Sequence, residues 1–212
     1  MSHDDFTVEP IKGLPGVPPE GEDILWQGRP NWWALSKDSF NVYWILGYFI
    51  VLAAWRYLSL YQVEGTGYAA AGSLPLIVLG IVACAILVFI AYIQALMTVY
   101  TITTKRVVMR VGAALTITFN FPYNKISNAN LGLRRDGTGT IAFELAGYNK
   151  VSYLVLWPHV RPWKMSSPEP ALRCIDNPQE VAKILANAAQ TQINTPQVAR
   201  STMDTSKFIA VD

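Results

Sequence analysis

The sequence predicts a membrane-anchored α+β protein. In it a hairpin of two transmembrane helices carries a small antiparallel β-barrel, which a C-terminal amphipathic helix caps. Three observations carry this expectation. From Gly65 to Thr104 there is no Asp, Glu, Lys, Arg or His. Directly after that run, "VYTITTKRVVMRVG" (Val99 to Gly112) begins to alternate as a β-strand does. Further short alternating segments follow, and then apolar residues at helical spacing. Composition agrees: 51% of the 212 residues are apolar and 15% are charged, a low charge content for a soluble domain.

Residues 1–20 read as a flexible N-terminal arm. The segment 21–38 reads as cytoplasmic, with "DILWQG" (Asp23 to Gly28) supplying a first strand of the barrel. "FNVYWILGYFIVLAAWRYLSLY" then gives a first transmembrane helix over 39–61, whose one charge is Arg56 near its far end. The aliphatic stem of Arg56 lets its guanidinium reach the interface. A periplasmic loop over 62–73 contains Gly65, Gly67 and Gly72. "LPLIVLGIVACAILVFIAYIQALM" forms the second span, 74–97, longer than the ~20 residues that a bilayer core requires. Its small residues Gly80, Ala83, Ala85, Ala91 and Ala95 let the two helices approach closely. Neither span resembles a cleaved signal peptide, because a long segment precedes the first and no basic region opens the chain.

Charge around the spans sets an orientation. Arg29 and Lys37 precede the first span, and Lys105, Arg106 and Arg110 follow the second. The connecting loop has no Lys or Arg and carries only Glu64. Both termini are therefore expected in the cytoplasm. Trp32, Trp33, Tyr43 and Trp44 suit the inner interface, and Trp55, Tyr57 and Tyr61 the outer one.

Residues 98–190 form the expected barrel domain. In "RVVMRV", Val107, Met109 and Val111 share one face. In "LTITFNF", Leu115, Ile117, Phe119 and Phe121 alternate with Thr116, Thr118 and Asn120. A weaker strand runs from Ile126 to Leu133, the Asp136-Gly137 turn follows, and "TIAFEL" and "VSYLVLW" continue the alternation. Alternation of this kind marks half-buried strands, antiparallel by their short connections. Asn177, Pro178 and Glu180 read as N-cap, first helical residue and capping box. Val181, Ile184, Leu185 and Ala188 then make a stripe that must be covered. Five or six strands closed by one helix is the order of a pleckstrin-homology (PH) barrel. The residues 191–212 read as a polar flexible tail.

"GEDILWQGRP", then two spans, then "YTITTKRVVMRVG" resembles the bacterial PH-domain membrane proteins. "FPYNKISNANLGLRRDGTGTIAFEL" and "LVLWPHVRPWKMSSPEPALRCI" are similar to the PuhB-type photosynthetic complex assembly proteins of purple bacteria. The resemblance covers roughly Gly21 to Ala189. It implies a non-catalytic helper that binds reaction-centre and core light-harvesting (LH1) subunits, or intermediates of their assembly, in the bacterial inner membrane.

Several chemistries find no support. Cys84 falls in the second span and Cys174 in the cytoplasmic part, so they are not placed to pair. The only histidines are His3 and His159, and no CxxC or HExxH spacing occurs, so neither a metal nor another cofactor is expected. No span contains the His that would ligate a pigment magnesium. A net charge of +2 is too small to argue for nucleic acid. No carboxylate pair or nucleophile suggests an enzyme, and "RRDGTGT" reads as a hairpin turn rather than a phosphate loop.

Two sets of residues are candidates for binding. "WPHVRPWK" places Trp157, His159, Arg161 and Trp163 in a proline-braced segment suited to partner contact. The competing reading has the tryptophans capping the barrel and His159 satisfied locally. Lys105, Arg106, Arg110, Lys125, Arg134 and Arg135 are candidates for anionic lipid headgroups or an acidic partner surface. Their competing reading is ordinary cytoplasmic charge bias on solvated strand faces.

Overall fold

The computed structural model describes residues 11, 13–112, 116–147 and 151–194. Strand β1 (Ile24–Gly28) leads into a short helix α1 (Trp32–Asp38). Two long helices follow, α2 (Val42–Glu64) and α3 (Thr66–Met97). Strands β2 (Val99–Thr103), β3 (Arg106–Val111) and β4 (Ile117–Pro122) come next. A 3-10 turn (Tyr123–Lys125) then leads to β5 (Ile126–Leu133) and β6 (Thr138–Leu145). One helical turn α4 (Tyr153–Leu156), strand β7 (Ala171–Asp176) and helix α5 (Pro178–Asn194) complete the order.

Both long helices are apolar enough to cross a bilayer. At ~1.5 Å per residue each exceeds the ~30 Å of a hydrocarbon core. Only 11% of the most apolar window of each is buried, whereas a core helix of a soluble protein would be mostly covered. Where the helices touch, small residues set the distance. A Cβ on Gly80 would meet Phe49 Cβ at 2.7 Å, and Ala69, Ala91 and Ala95 are buried. The loop expected over 62–73 is not there: α2 continues to Glu64, α3 starts at Thr66, and Gly65 alone turns the chain. Its φ of 81° is a left-handed conformation that glycine adopts without steric cost.

β1 pairs antiparallel with β2, with Gly28 opposite Tyr100. The strand before the hairpin thus joins the sheet after it. The first sheet has the order β1-β2-β3-β4 and the second β5-β6-β7. The expected closed barrel is corrected here: among the described residues the two sheets remain separate and face each other across one core. The chain turns the corner between them at the 3-10 turn, and α5 lies across that turn, β5, β6 and β1. The core unites Tyr100, Ile102, Met109 and Phe121 of the first sheet with Phe143 and Leu172 of the second. Val181, Leu185 and Ala188 of α5 seal it, while Ile184 is half-buried.

Two sequence expectations change. "VSYLVLW" is not a strand but the single turn α4, because a continuous apolar run this short cannot distinguish a period of 2 from one of 3.6. β7 takes its place beside β6, with Ile141 opposite Leu172. Asn177 directly precedes α5 and Pro178 is its first residue, as expected; the Asn177 carbonyl, on a residue with a φ of 50°, accepts from Glu180 N at 3.1 Å. The arm expected over 1–20 also packs in part: Leu14 is buried, and a Cβ on Gly13 would lie 2.5 Å from Val99 Cγ1. Residues 1–10 of that arm, residues 195–212 of the expected tail and Leu115 lie outside the described residues. Residues 191–194 finish α5.

Candidate functional site

The "WPHVRPWK" segment folds as a clasped loop between α4 and β7. Arg161 N donates to Glu169 O at 2.9 Å, and Ala171 N donates to His159 O at 3.0 Å, closing its two ends together. His159 is fully buried, so its expected part in partner contact is corrected: it holds the loop down. Thr98 Oγ1 donates to Gln94 O at 2.7 Å, leaving that oxygen to accept from His159 Nε2–H at 3.0 Å. His159 Nδ1 then accepts from the Tyr100 hydroxyl at 2.6 Å. The same hydroxyl oxygen accepts from Arg173 N at 3.3 Å. Every hydroxyl hydrogen is used once, which assigns the neutral Nε2–H tautomer. Burial, and then the nearby Arg173 guanidinium, push the imidazole pKa down to about 3. The relay joins the last turn of α3 to β2, the loop and β7.

The loop's outer part is held by a buried carboxylate. Glu169 receives Arg161 Nη1 at 2.9 Å and also Lys164 Nζ. Burial raises this carboxyl's pKa, but the two hydrogen-bonded cations outweigh it and leave it below the usual range. Between them projects Trp163, 90% exposed, with a φ of 64°. A bulky residue held at positive φ is uncommon. Trp157 is exposed beside Phe40, with ring centroids 5.1 Å apart, and Leu154 and Val155 of α4 are exposed near it in sequence. Of the four candidates, Trp163, Arg161 and Trp157 thus reach the surface, and His159 does not.

The six basic candidates do not form one patch. Lys105 and Arg106 sit at the β2–β3 turn, the end of β2 remote from α3. There Arg106 grips Glu22, Nε to Oε1 at 2.8 Å and Nη2 to Oε2 at 3.2 Å. Lys125 lies in the 3-10 turn at that same end, where Tyr123 Oη donates to Thr103 O at 2.6 Å. Arg110 lies opposite Val99, at the α3 end of the sheet. Arg134 and Arg135 lie in the β5–β6 turn, which docks on α1 through the pairs Arg134–Asp38 and Lys37–Asp136, the latter at 3.1 Å. Asp38 also binds Arg173 of β7.

Sequence reasoning missed α1 and this hub. The cap was legible, since the Asn31 side chain accepts from Trp33 N and Ala34 N at 3.1 Å each. The ion pairs were not, because Asp38 and Arg173 meet only through the packing of α1 on β7. Asn31 N donates to Cys174 O at 2.7 Å, where Cys174 has a φ of 53° and the β6–β7 register shifts. Among the described residues no cluster of His, Cys, Asp and Glu is arranged to hold a metal ion.

Two antiparallel sheets with a C-terminal helix across their shared core define a module of the PH type. The chain belongs to the bacterial PH domain family, whose model matches residues 39–189. Over 200 residues it is 43% identical to a Rhodobacter capsulatus protein, covering 93% of this chain and 94% of the relative. That relative is called "Uncharacterized 23.7 kDa protein in puhA 5'region". No solved structure matches the chain.

Proposed function

We propose that this protein is a membrane-anchored assembly factor for the purple-bacterial reaction centre and its LH1 ring. In this reading α2 and α3 span the inner membrane with both termini in the cytoplasm. The PH-like domain then sits on the cytoplasmic face, and its clasped loop docks on subunits or assembly intermediates. The observation that carries the reading is the 43% identity, over nearly the full length of both chains, to a protein of the puhA 5' region. The exposed, unusually held Trp163 supports the choice of surface, because large aromatic side chains on a preorganised loop lose little entropy on binding.

A general PH-like module binding lipid headgroups or another membrane protein is the alternative, supported by the family match over residues 39–189. Deleting the gene in a photosynthetic host and following near-infrared absorbance separates the two. An assembly factor's loss lowers reaction-centre and LH1 absorbance, and the wild-type gene restores it. Unchanged absorbance, with no photosynthetic subunit co-purifying from membranes, would leave the alternative standing.

A further inference from the structure

Beside helix α5 the core is incompletely roofed. A groove of about 500 Å³ opens between α5 and β5, a volume in the range of small-ligand and peptide side-chain sites. Its floor is the core itself, through the buried side chains of Tyr123, Ile141 and Leu185. Leu131 of β5 lines one side, and Ala182 and Ala186 of α5 the other. Every residue lining it is uncharged, and none belongs to the clasped loop. Leu131 and Ile141 are cross-strand partners and share a face of the sheet. Ile141 is 1% exposed, yet Leu131 is 40% exposed. The apolar face of β5 thus runs out from under the helix before it is covered.

The backbone beside the groove is open as well. In the order β5-β6-β7, β5 is an edge, and among the described residues it pairs with β6 alone. A Cβ on Gly139 of β6 would lie 2.8 Å from the Gly132 carbonyl oxygen, so that carbonyl faces β6. Antiparallel alternation then turns the N–H and C=O groups of Leu131 and Leu133 outward. Native edge strands are commonly guarded by Lys, Pro or an inward-pointing charge. "ISNANLGL" (Ile126–Leu133) has none of these, and its register shift is confined to Ile126 and Asn128. An unguarded edge therefore adjoins an apolar groove.

We propose that a downstream segment of the same chain, "FIAV" (residues 208–211), fills this groove as an added strand on β5. After Asn194 the sequence is largely polar, and this is its longest apolar run. Gln190 lines the groove only four residues before α5 ends at Asn194, and Pro196 disfavours continuing the helix. Residues 195–207 reach up to about 43 Å, whereas α5 from Gln190 back to Ala182 rises only about 12 Å. In an extended strand Phe208 and Ala210 share one face. The small side chains of Ala182 and Ala186 leave room for the Phe208 ring, while main-chain bonds to Leu131 and Leu133 complete the sheet. An uncharged groove offers no counter-charge to an ionic ligand, so it suits this block. Such a tether holds the block at roughly millimolar effective concentration, and an affinity of about 0.1 mM would keep the groove about nine-tenths filled.

The test uses the full chain purified in detergent and a full-length variant carrying Phe208→Asp and Ile209→Asp. Amide hydrogen exchange over residues 129–133 should be about tenfold faster in the variant, with exchange in β2 and β3 unchanged. A labelled peptide of sequence SKFIAVD should bind the variant with a Kd of about 0.1 mM and the wild type about tenfold more weakly, because the tethered block competes. Adding Ala186→Trp to the variant fills the groove from an exposed helix position and should abolish peptide binding. Equal exchange over residues 129–133 in the wild type and the variant would overturn the proposal. Equal peptide binding by the two would do the same, since the groove would then be open to other chains. Peptide binding that survives Ala186→Trp would lie outside the groove and overturn the assignment. Protection of residues 129–133 that rises with protein concentration would put the block in a second copy, and would also overturn it.

Discussion

The ring nitrogen Nδ1 of His159 lies 2.6 Å from the hydroxyl of Tyr100, and both side chains are fully buried. This one contact fastens the surface loop to the strand that emerges from α3. It makes the loop an extension of the helical hairpin rather than a free appendage.

The contact carries a pH dependence. An imidazole whose folded pKa is about 3 and whose unfolded value is about 6.5 binds its proton first in the unfolded chain. Stability is therefore complete above about pH 6.5 and falls as pH drops toward 3, with a slope approaching roughly 1.4 kcal/mol per pH unit. Thermal unfolding in detergent at stepped pH should show the decline beginning near pH 6, above the carboxylate range. In His159→Gln the part of the slope above pH 5 should vanish. An unchanged profile would mean that folding does not shift the titration of His159.

Glu169 anchors the loop's outer part. Its carboxyl pKa is depressed in the folded chain, so its contribution is present above the unfolded value near about 4.3 and is lost as pH falls through the folded one. Glu169→Gln removes the charge that holds Arg161 and Lys164. We expect a loss of about 1–2 kcal/mol, and faster proteolysis between Arg161 and Ser167. Protease resistance equal to that of the wild type would show that the backbone bonds alone hold the loop.

Packing of α5 is tested by graded truncation. Leu185→Ala, in the core, should cost ~2–5 kcal/mol. Ile184→Ala should cost less, because Ile184 is half-buried. Gly139→Ala probes the same junction from β6: its new Cβ would lie 2.6 Å from Pro178 Cγ and 2.8 Å from the Gly132 carbonyl oxygen. Overpacking of this kind costs roughly 1–3 kcal/mol. Equal melting temperatures for Leu185→Ala and Ile184→Ala would contradict the observed face of the helix.

Docking is best read from Trp163, since its ring is outside the core and outside the clasp. Trp163→Ala should leave the melting temperature and membrane content unchanged. It should weaken partner retention by at least ~30-fold if the ring is an anchor. Arg161→Ala is the less clean variant, because Arg161 also holds Glu169. Normal reaction-centre and LH1 absorbance in the Trp163→Ala strain would remove the loop from the docking surface.

Topology follows from charge and can be read directly. A periplasm-active reporter fused at Thr66 should be active, and the same reporter after Asn194 should be silent. The reverse pattern would place the domain on the other side.

Local pattern by itself determined the long apolar helices, the alternating strands β3 to β6 and the amphipathic face of α5. In each case the signal is a periodicity confined to neighbours in the chain, such as Val107, Met109 and Val111 on one side of β3. It also singled out "WPHVRPWK", because proline and large aromatic side chains are conspicuous wherever they fall. Only the tertiary structure decided what those residues do. Trp163 and His159 lie four positions apart in the same loop, yet one is exposed and the other is enclosed by Thr98 and Tyr100, about sixty residues earlier in the chain. β7 escaped notice because "ALRCID" has Arg173 on it, a charge whose burial depends on Asp38 from before the hairpin. The six basic residues likewise looked like one group until strand direction sent Lys105 and Arg110 to opposite ends of β3. Periodicity states which face of an element must be covered; which element covers it, and which buried charge finds a partner, is settled only by long-range packing.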